Sequence, residues 1–362
     1  MWDIRAAITT GIAAAISGLA ILTLVAWLLL RKPGLPHAKS ISLHDSISVL
    51  QLVFASVAGA GALVGLIVAY RRQKVAEADS AHDRTRVYNE RFATISAQLG
   101  DDKPAIRLAG AHAMAGLADD WKDSRQTCID VLCAYLRIPY EADPGRDAAA
   151  VIRMAYEANR EVRHTIIRLI AAHLRDNART SWQGLDLDFT GVNFDGGDFS
   201  KAIFSGGSAS FREANFSSGL VFFGDTQFSG GVVTFVRASF SGGGVSFARA
   251  IFSGGEVMFG GAEFSSGIIT FREAAFSGGT VTFNGSLFSG GTVEFPESKF
   301  SDGVVGFDWA EFRGGRVEFY NAHFNGGRVD FSGAQDWSSP PFVQKPTPIG
   351  VRLPSVRRNQ ID

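Results

Sequence analysis

The chain has few of the residues that reactive or metal-binding sites require. Among its 362 residues are only two cysteines, Cys128 and Cys133, and their spacing does not match the C-x-x-C pair of zinc sites. We expect both to be buried thiols in a reduced compartment. His112, His164 and His173 fall on separate helical stretches, and no nucleophile can be paired with a base. The sequence therefore predicts a protein that is not an enzyme and that uses no cofactor and no metal.

Charged residues are missing from two long runs near the amino terminus, Ala6 to Leu30 and Ile47 to Tyr70. Each run exceeds the ~20 residues that a helix needs to cross a membrane, so two spanning helices are predicted. A secretory signal peptide does not match the first run, because its apolar core is too long and a second run follows at once. Basic residues at Arg71, Arg72 and Lys74, against three in the connection, favour cytoplasmic termini by a small margin.

Small residues recur at one face of the second run, where Gly61 and Gly65 stand four apart and Ala55 and Gly59 precede them at the same spacing. Such residues let two helices approach closely, within the hairpin or in a homo-oligomer. They are also common in membrane helices generally. The spacing leaves packing within the hairpin, self-association and a purely compositional origin all open.

Glycine and proline are absent from Arg71 to Leu99, so we expect the second span to continue as a helix to that point. Three further helices are predicted to begin near Asp102, Asp123 and Asp147, the first with Asp102 as its cap and a proline in its first turn. The segment Ile138–Gly145 separates the last two, because two prolines and a glycine cannot continue a helix. These helices predict a compact adaptor module.

A phenylalanine repeat with alternating spacings of five and seven residues fills the C-terminal half. A small or β-branched residue precedes nearly every phenylalanine by two positions, so both point to the same side of a strand. Such a short period indicates a solenoid whose units are buried by stacking. The predicted inward stack consists of Phe204, Phe211, Phe216, Phe223, Phe228, Phe235, Phe240, Phe247, Phe252, Phe259, Phe264, Phe271, Phe276, Phe283, Phe288, Phe295, Phe300, Phe307, Phe312, Phe319, Phe324 and Phe331.

Before Phe204 the spacing is a regular five, written L-D-F, T-G-V-N-F, D-G-G-D-F and S-K-A-I-F. This pattern resembles the pentapeptide-repeat family, whose A-(D/N)-(L/F)-x-x units wind a right-handed, four-sided β-helix. The resemblance implies that Phe204 with Ala202, and Phe264 with Ala262, form inward pairs. It covers about two fifths of the chain. The helical segment likewise resembles a module found between a two-helix anchor and pentapeptide repeats in bacterial proteins, which implies a bacterial plasma-membrane protein.

The alternating units predict a turn of about 24 residues, with the additional residues placed at Ser-Gly-Gly corners. These triplets lack the lysine and the following helix of a phosphate-binding loop. A turn of twelve residues is the alternative, but it would enclose two phenylalanines in a very narrow interior. The wider turn predicts roughly five turns after one regular turn, and with strands ~4.8 Å apart a rod on the order of 30 Å long.

Sixteen acidic and nine basic residues lie between Asp186 and Asp330. Some pentapeptide-repeat proteins imitate duplex DNA and bind a type II topoisomerase, and this resemblance implies an alternative function. Basic residues such as Arg249 and Arg272 interrupt the acidic surface, and a moderate excess of acid is also what solubility requires. We therefore expect no nucleic-acid partner. We expect an unknown protein to bind outward charges of the rod, for which the candidates are Arg272, Glu273, Glu294, Glu297 and Glu318.

The sequence divides into four parts. Residues 1–75 are predicted to form a two-helix transmembrane hairpin, 76–182 a helical adaptor, 183–335 a right-handed quadrilateral β-helix, and 336–362 a Pro-rich tail. Trp337 and Phe342 are expected to cap the last turn, whereas the chain beyond Pro346 is expected to be extended or disordered. The predicted function is a non-catalytic, membrane-anchored scaffold with its soluble parts in the cytoplasm. A pocket lined by polar groups between the adaptor and the first turn would instead favour an enzyme.

Overall fold

The structure is a computed structural model that describes residues 43–140 and 143–355, together with scattered positions between 13 and 24. The chain forms two compact units, Met1–Val87 and Tyr88–Asp362. The first unit contains most of the long helix α1, which spans Leu43–Leu99. The second unit contains the end of α1, three further helices and the solenoid.

Within the described residues one stretch, Phe54–Glu77, is long and apolar enough to cross a membrane. Its mean hydropathy is 1.6 and none of its most apolar window is buried. This stretch overlaps the second predicted span. The first predicted span, Ala6–Leu30, lies outside the described residues apart from a few helical positions, including Gly18 and Leu24. The two-span hairpin therefore stays a prediction.

The adaptor consists of helices α2 (Pro104–Asp120), α3 (Arg125–Arg137) and α4 (Ala150–Leu174), with a short 3-10 helix at Lys122–Ser124 before α3. Each helix buries one face: Met114 and Leu117 on α2, Cys128 and Leu132 on α3, and Val162, Ile166 and Ile170 on α4. A Cβ atom added to Gly110 of α2 would lie 2.9 Å from the backbone nitrogen of Leu99. The lack of a side chain there lets α2 pack directly against the end of α1.

The predicted cap of α2 is wrong by one residue. Pro104 is the first helical residue as expected, but Lys103 and not Asp102 precedes it, and no side chain caps the helix. Asp101 instead accepts a hydrogen bond of 2.7 Å from the backbone N–H of Lys103, which turns the chain before the helix begins. The proline needs no hydrogen bond at this position, because a first-turn residue has no intrahelical acceptor.

The solenoid consists of short parallel strands. They are β1 (Leu187–Asp188), β2 (Asn193–Phe194), β3 (Gly197–Asp198), β4 (Ile203–Ser210), β5 (Asn215–Phe216), β6 (Leu220–Phe222), β7 (Gln227–Thr234), β8 (Ser239–Phe240), β9 (Gly244–Ser246), β10 (Ile251–Phe252), β11 (Glu256–Met258), β12 (Glu263–Phe264), β13 (Ile268–Thr270), β14 (Ala275–Phe276), β15 (Thr280–Thr282), β16 (Leu287–Phe288), β17 (Thr292–Glu294), β18 (Lys299–Phe300), β19 (Val304–Gly306), β20 (Glu311–Phe312), β21 (Arg316–Glu318), β22 (His323–Phe324), β23 (Arg328–Asp330) and β24 (Val351–Arg352).

The strands form four ladders, which we name as faces in chain order. The first face contains β2, β5, β8, β12, β16 and β20, and the second contains β3, β6, β9, β13, β17 and β21. The long strands β4 and β7 bend through a corner, so their first halves belong to the third face and their second halves to the fourth. β10, β14, β18 and β22 complete the third face, and β1, β11, β15, β19, β23 and β24 complete the fourth.

Strand register shows that one turn takes 24 residues, because Phe240 pairs with Phe264, which pairs with Phe288. The twelve-residue turn is thereby excluded. The solenoid has about seven turns, against the roughly six that the sequence predicts. The difference arises at the C-terminal end, where Val351 pairs with Val329 in β23 and adds a strand that the phenylalanine spacing does not mark.

Phenylalanine rings fill the interior in columns along the axis. Phe259 is fully buried and stacks on Phe235 and Phe283 with ring centroids 4.7 Å apart in both cases. This spacing matches the strand separation of a sheet, so stacked rings and paired backbones share one repeat. Every phenylalanine of the predicted series except Phe324 is at most 4% exposed. Phe324 lies on the last strand of the third face and is half-buried. The prediction of a solenoid with stacked phenylalanines is confirmed.

The tail covers the C-terminal end of the rod. Trp337 packs edge-on against Phe312 and Phe331, with ring centroids 5.3 and 5.5 Å away. Phe342 lies outside the rod beside Tyr320, and its backbone pairs with Glu318. The tail therefore continues the winding, although its composition indicates an extended or disordered segment. The order at Val351–Arg352 has a physical cause, since β23 offers unpaired backbone groups to this strand.

Candidate functional site

The outward charges named from the sequence lie on one side of the rod. Glu294 and Glu318 stand in register on the second face, and both are half-buried. Arg272, Glu273 and Glu297 occupy the corner that follows this face, and all three are exposed. Arg272 and Glu297 approach to 3.7 Å across one turn. The C-terminal half of the second face and its corner therefore carry four glutamates together with Arg272 and Arg316, and Arg316 lies 4.0 Å from Glu318.

The N-terminal half of the same face is apolar. Leu220, Phe222 and Ile268 point outward and are 57%, 41% and 55% exposed. Gly244 lies between Leu220 and Ile268 in the ladder, and the side chain of Leu220 covers the position that its Cβ would occupy. Side chains of this type are normally turned inward in a soluble protein, and a contiguous exposed group marks an interaction surface. The second face thus joins an apolar region to a charged one in which glutamates outnumber arginines.

The adaptor meets the solenoid through a buried carboxylate that sequence reasoning missed. Asp195 follows Phe194 in the first turn and is 8% exposed. Its Oδ2 accepts hydrogen bonds from the hydroxyls of Tyr140 and Tyr156, at 2.8 and 2.9 Å, and from Nε of Arg160 at 3.1 Å. His164 Nε2 lies 2.9 Å from Oδ1.

Burial raises the pKa of Asp195, but hydrogen bonds from His164, Tyr140 and Tyr156 outweigh burial and hold the pKa well below its usual range. The carboxylate is therefore charged at neutral pH. Burial also raises the pKa of Tyr140, and the hydrogen bond to Asp195 raises it further, so this phenol stays protonated as a donor. The cluster is a fully bonded structural junction.

Asp195 departs from the repeat pattern at its position in the turn. The residue after the inward phenylalanine of the first face is Asp195 in the first turn, whereas Ser217, Ser241, Ser265 and Ser289 take that place in the next four turns and Arg313 in the turn after them. This departure could have indicated a special role for Asp195. Nothing in the sequence pattern, however, indicates which distant side chains it would bind.

A buried arginine adds a second link across the junction. Arg163 is 4% exposed and donates to the backbone carbonyls of Leu136 at 2.8 Å and Asn193 at 3.0 Å. Its guanidinium lies 4.4 Å from the ring centroid of Tyr140. Burial lowers the pKa of Arg163, although the group stays far above neutrality and is charged. Arg163 therefore joins α3, α4 and β2.

A cavity of about 1090 Å³ opens within the adaptor on the other side of Arg163 and Tyr140. Its wall is built from the end of α1, the start of α2, the end of α3 and the first half of α4. Arg107, Tyr135, Tyr156 and Asn159 are among its polar lining residues. An enzyme would be favoured by a pocket that is lined by polar groups and lies between the adaptor and the first turn of the solenoid. This cavity is lined by adaptor residues alone.

The histidines and cysteines do not come together in one site. His164 binds Asp195, whereas His173 lies 3.1 Å from Asp119 Oδ2 and stacks on Trp182 with centroids 3.9 Å apart. Burial raises the pKa of the Cys128 thiol to about 11 and that of Cys133 to about 12, so neither is a reactive thiolate. Within the described residues no group of three histidine, cysteine or acidic side chains is arranged to hold a metal ion.

The two glycines proposed for helix packing lie on the exposed surface of α1. A Cβ atom added at Gly61 or Gly65 would meet no atom of the described residues within 4 Å. Either surface is open to another helix, and the role of the pair stays a prediction.

Comparisons with protein-family models, with curated proteins and with solved structures found no match to this chain. The parallel solenoid and its stacked phenylalanines are consistent with a pentapeptide-repeat-like fold.

Proposed function

We propose that the chain is a non-catalytic, membrane-anchored scaffold whose rod binds a protein partner through the second face. The observation that carries this proposal is the outward surface of that face, with Leu220, Phe222 and Ile268 at one end and Glu294 and Glu318 at the other. Parallel pairing fixes these side chains in two columns of the ladder, so a partner that binds them orders little of the rod.

The chemistry of this face favours a particular kind of partner. A segment that carries apolar side chains at one end and Lys or Arg at the other would complement the row in both respects. The rod's arginines support binding of a protein over imitation of DNA, because several are paired with its acids. Arg249 binds Asp225 through two nitrogens at 2.7 and 2.8 Å, and Arg237 lies 3.4 Å from Glu213.

Membrane attachment rests on the exposed apolar stretch Phe54–Glu77, with Arg71, Arg72 and Lys74 at its C-terminal end. Basic residues beside a span favour its cytoplasmic side. The proposal places the adaptor and rod in the cytoplasm of a bacterial cell, with Ala6–Leu30 as the second span. Alkaline extraction of isolated membranes tests the anchor, since an integral protein stays in the pellet whereas a peripheral one is released.

Site-specific photocrosslinking in native membranes tests the binding face. A photoreactive amino acid would replace Phe222 or Ile268 on the second face, or Glu256 on the fourth face as a matched exposed control. A scaffold of the proposed kind gives the same crosslinked protein from both second-face positions and none from Glu256. Equal crosslinking from all three positions, or from none, contradicts the proposal.

A further inference from the structure

The adaptor cavity has an apolar mouth. Ile138, Val151, Ile152 and Met154 line it, and their exposed fractions range from 48% to 67%. All four are aliphatic or thioether side chains, and three of them lie on the first turns of α4. Exposure of so many large apolar groups around one opening is costly in water unless something covers them.

The interior of the same cavity contains two arginines. Arg107 and Arg163 both line it, and Arg107 donates from Nη2 to Asn159 Oδ1 at 2.7 Å. The Nε of Arg107 is buried and has no hydrogen-bond partner among the residues that the structure describes. A buried donor without an acceptor is destabilising, and an acceptor oxygen of a bound ligand would remove that cost.

Among the residues that the structure describes neither guanidinium forms a salt bridge, although the charge of Asp195 acts to raise the pKa of Arg163. Arg163 is bonded to two carbonyls, and Arg107 is bonded to an amide. Asp101 and Asp102 also line the cavity before α2 begins, and the Asp101 carboxylate accepts from the backbone N–H of Lys103. Burial raises the pKa of Tyr135, while the charges of Arg107 and Arg163 and a hydrogen bond with Arg107 act to lower it, which indicates that both guanidinium groups lie near this phenol.

We propose that this cavity binds an anionic amphiphile, whose carboxylate or phosphate head pairs with Arg107 and whose aliphatic chain covers Val151, Ile152 and Met154. A guanidinium matches the two oxygens of such a head, and Arg163 adds positive potential behind it. The volume is at the upper end of the range of small-molecule sites, which suits a chain of moderate length. The aliphatic mouth favours an alkyl chain over a sugar or a nucleotide.

Photolabelling of the full chain in phosphatidylcholine nanodiscs tests this site. The probes are diazirine derivatives of decanoic acid and decyl phosphate, with the matching alcohol as the neutral control. Peptide mapping then locates the label. Saturable labelling of residues 138–163 by either anion, at least about tenfold stronger than by the alcohol, supports the proposal. Comparison of the two anions identifies the preferred head group.

Three variants separate binding from folding. Arg107→Gln keeps a polar side chain beside Asn159 and should reduce anion labelling about tenfold. Met154→Glu changes an exposed position at the mouth, where it cannot disturb the core, and should reduce labelling by charge repulsion. Arg153→Gln removes an exposed arginine of the same helix that does not line the cavity, and labelling should be unchanged.

Equal labelling by anions and alcohol, or wild-type labelling of both Arg107→Gln and Met154→Glu, overturns the proposal. Loss of labelling in Arg153→Gln to the same extent as in Arg107→Gln also overturns it, since a general surface charge would then explain the effect. The outcome does not depend on the binding face of the rod, so the scaffold proposal and this site fail or succeed separately.

Discussion

The rod and the adaptor are stabilised by different kinds of interaction. In the rod each turn repeats the one before it, so Phe259 has nearly the same surroundings as Phe235 or Phe283. In the adaptor each contact occurs once, and at its junction with the rod the carboxylate of Asp195 binds several adaptor side chains, beside the separate links of Arg163 and Arg175. A repeated apolar column distributes stability over many equivalent neighbours, whereas a unique polar cluster concentrates it in one place. Substitutions in the two regions should therefore differ in how much they lower the stability and in how many turns of the structure they disturb.

Replacement of Phe259 by Asp is expected to have the largest effect. A charge placed among stacked rings finds no partner, and its burial costs several kcal/mol, enough to separate neighbouring turns. Thermal unfolding followed by far-UV circular dichroism should show a large loss of stability. Phe222→Asp makes the same change at an exposed position of the rod and should have a much smaller effect. Wild-type melting of Phe259→Asp would contradict the inward assignment.

Asp195→Ala should break the junction and leave the distant turns intact. Removal of the carboxylate leaves Arg160, His164 and two tyrosines without their acceptor, which we expect to cost about 3 kcal/mol. Hydrogen exchange should accelerate in β3 and β6 and remain slow in β13 and β17.

Asp198→Ala is the matched control, because this aspartate of the same turn has a half-exposed side chain that pairs with Arg175 at 3.6 Å. The surface pair should contribute less than about 1 kcal/mol. Equal effects would contradict a special role for Asp195.

Backbone corners allow a comparison within one region. Gly243 and Gly261 have φ values of 64° and 63°, but their surroundings differ. A Cβ atom at Gly243 would lie 2.4 Å from the carbonyl oxygen of Gly219, whereas one at Gly261 meets nothing nearer than 3.6 Å. Gly261→Ala should cost about 1 kcal/mol for its left-handed backbone. Gly243→Ala should cost about 2 kcal/mol more, because the adjacent turn must move. Chemical denaturation measures both, and equal values would show that the backbone conformation alone determines the cost.

Acid should weaken the junction before the rod. The pKa of Asp195 is lower in the folded chain than in the unfolded chain, so its contribution is complete above the unfolded value of about 4 and is lost as the pH falls through the folded value. Exchange of β3 and β6 amides should therefore accelerate, relative to β13 and β17, between pH 5 and about pH 2. Asp195→Asn should remove most of this difference. If the pH dependence of exchange is the same in Asp195→Asn, other carboxylates and not Asp195 cause it.

The rod was predictable because its signal is repeated. Each inward phenylalanine confirms the period of the previous one, so a deviation at a single position, such as the half-buried Phe324, does not hide the fold. The junction was not predictable, since the hydrogen bonds of Asp195 join residues that lie 31 to 55 positions away in the sequence. The cap of α2 and the strand at Val351 were missed for a related reason. At α2 the Asp101 side chain accepts from the backbone N–H of Lys103 and shifts the start of the helix, whereas at Val351 the open backbone edge of β23 determines where the strand begins.

Arg272→Ala is expected to have the smallest effect on folding and the most specific effect on function. Its guanidinium lies 3.7 Å from Glu297, but both side chains are about half exposed, so solvent screens the pair. The free energy of unfolding should change by no more than about 0.5 kcal/mol. If the corner beside the second face contacts a partner, the same variant should alter crosslinking from Ile268 without altering the melting temperature. A change in stability of several kcal/mol would show that this surface charge belongs to the stabilising network of the rod and not to a binding surface.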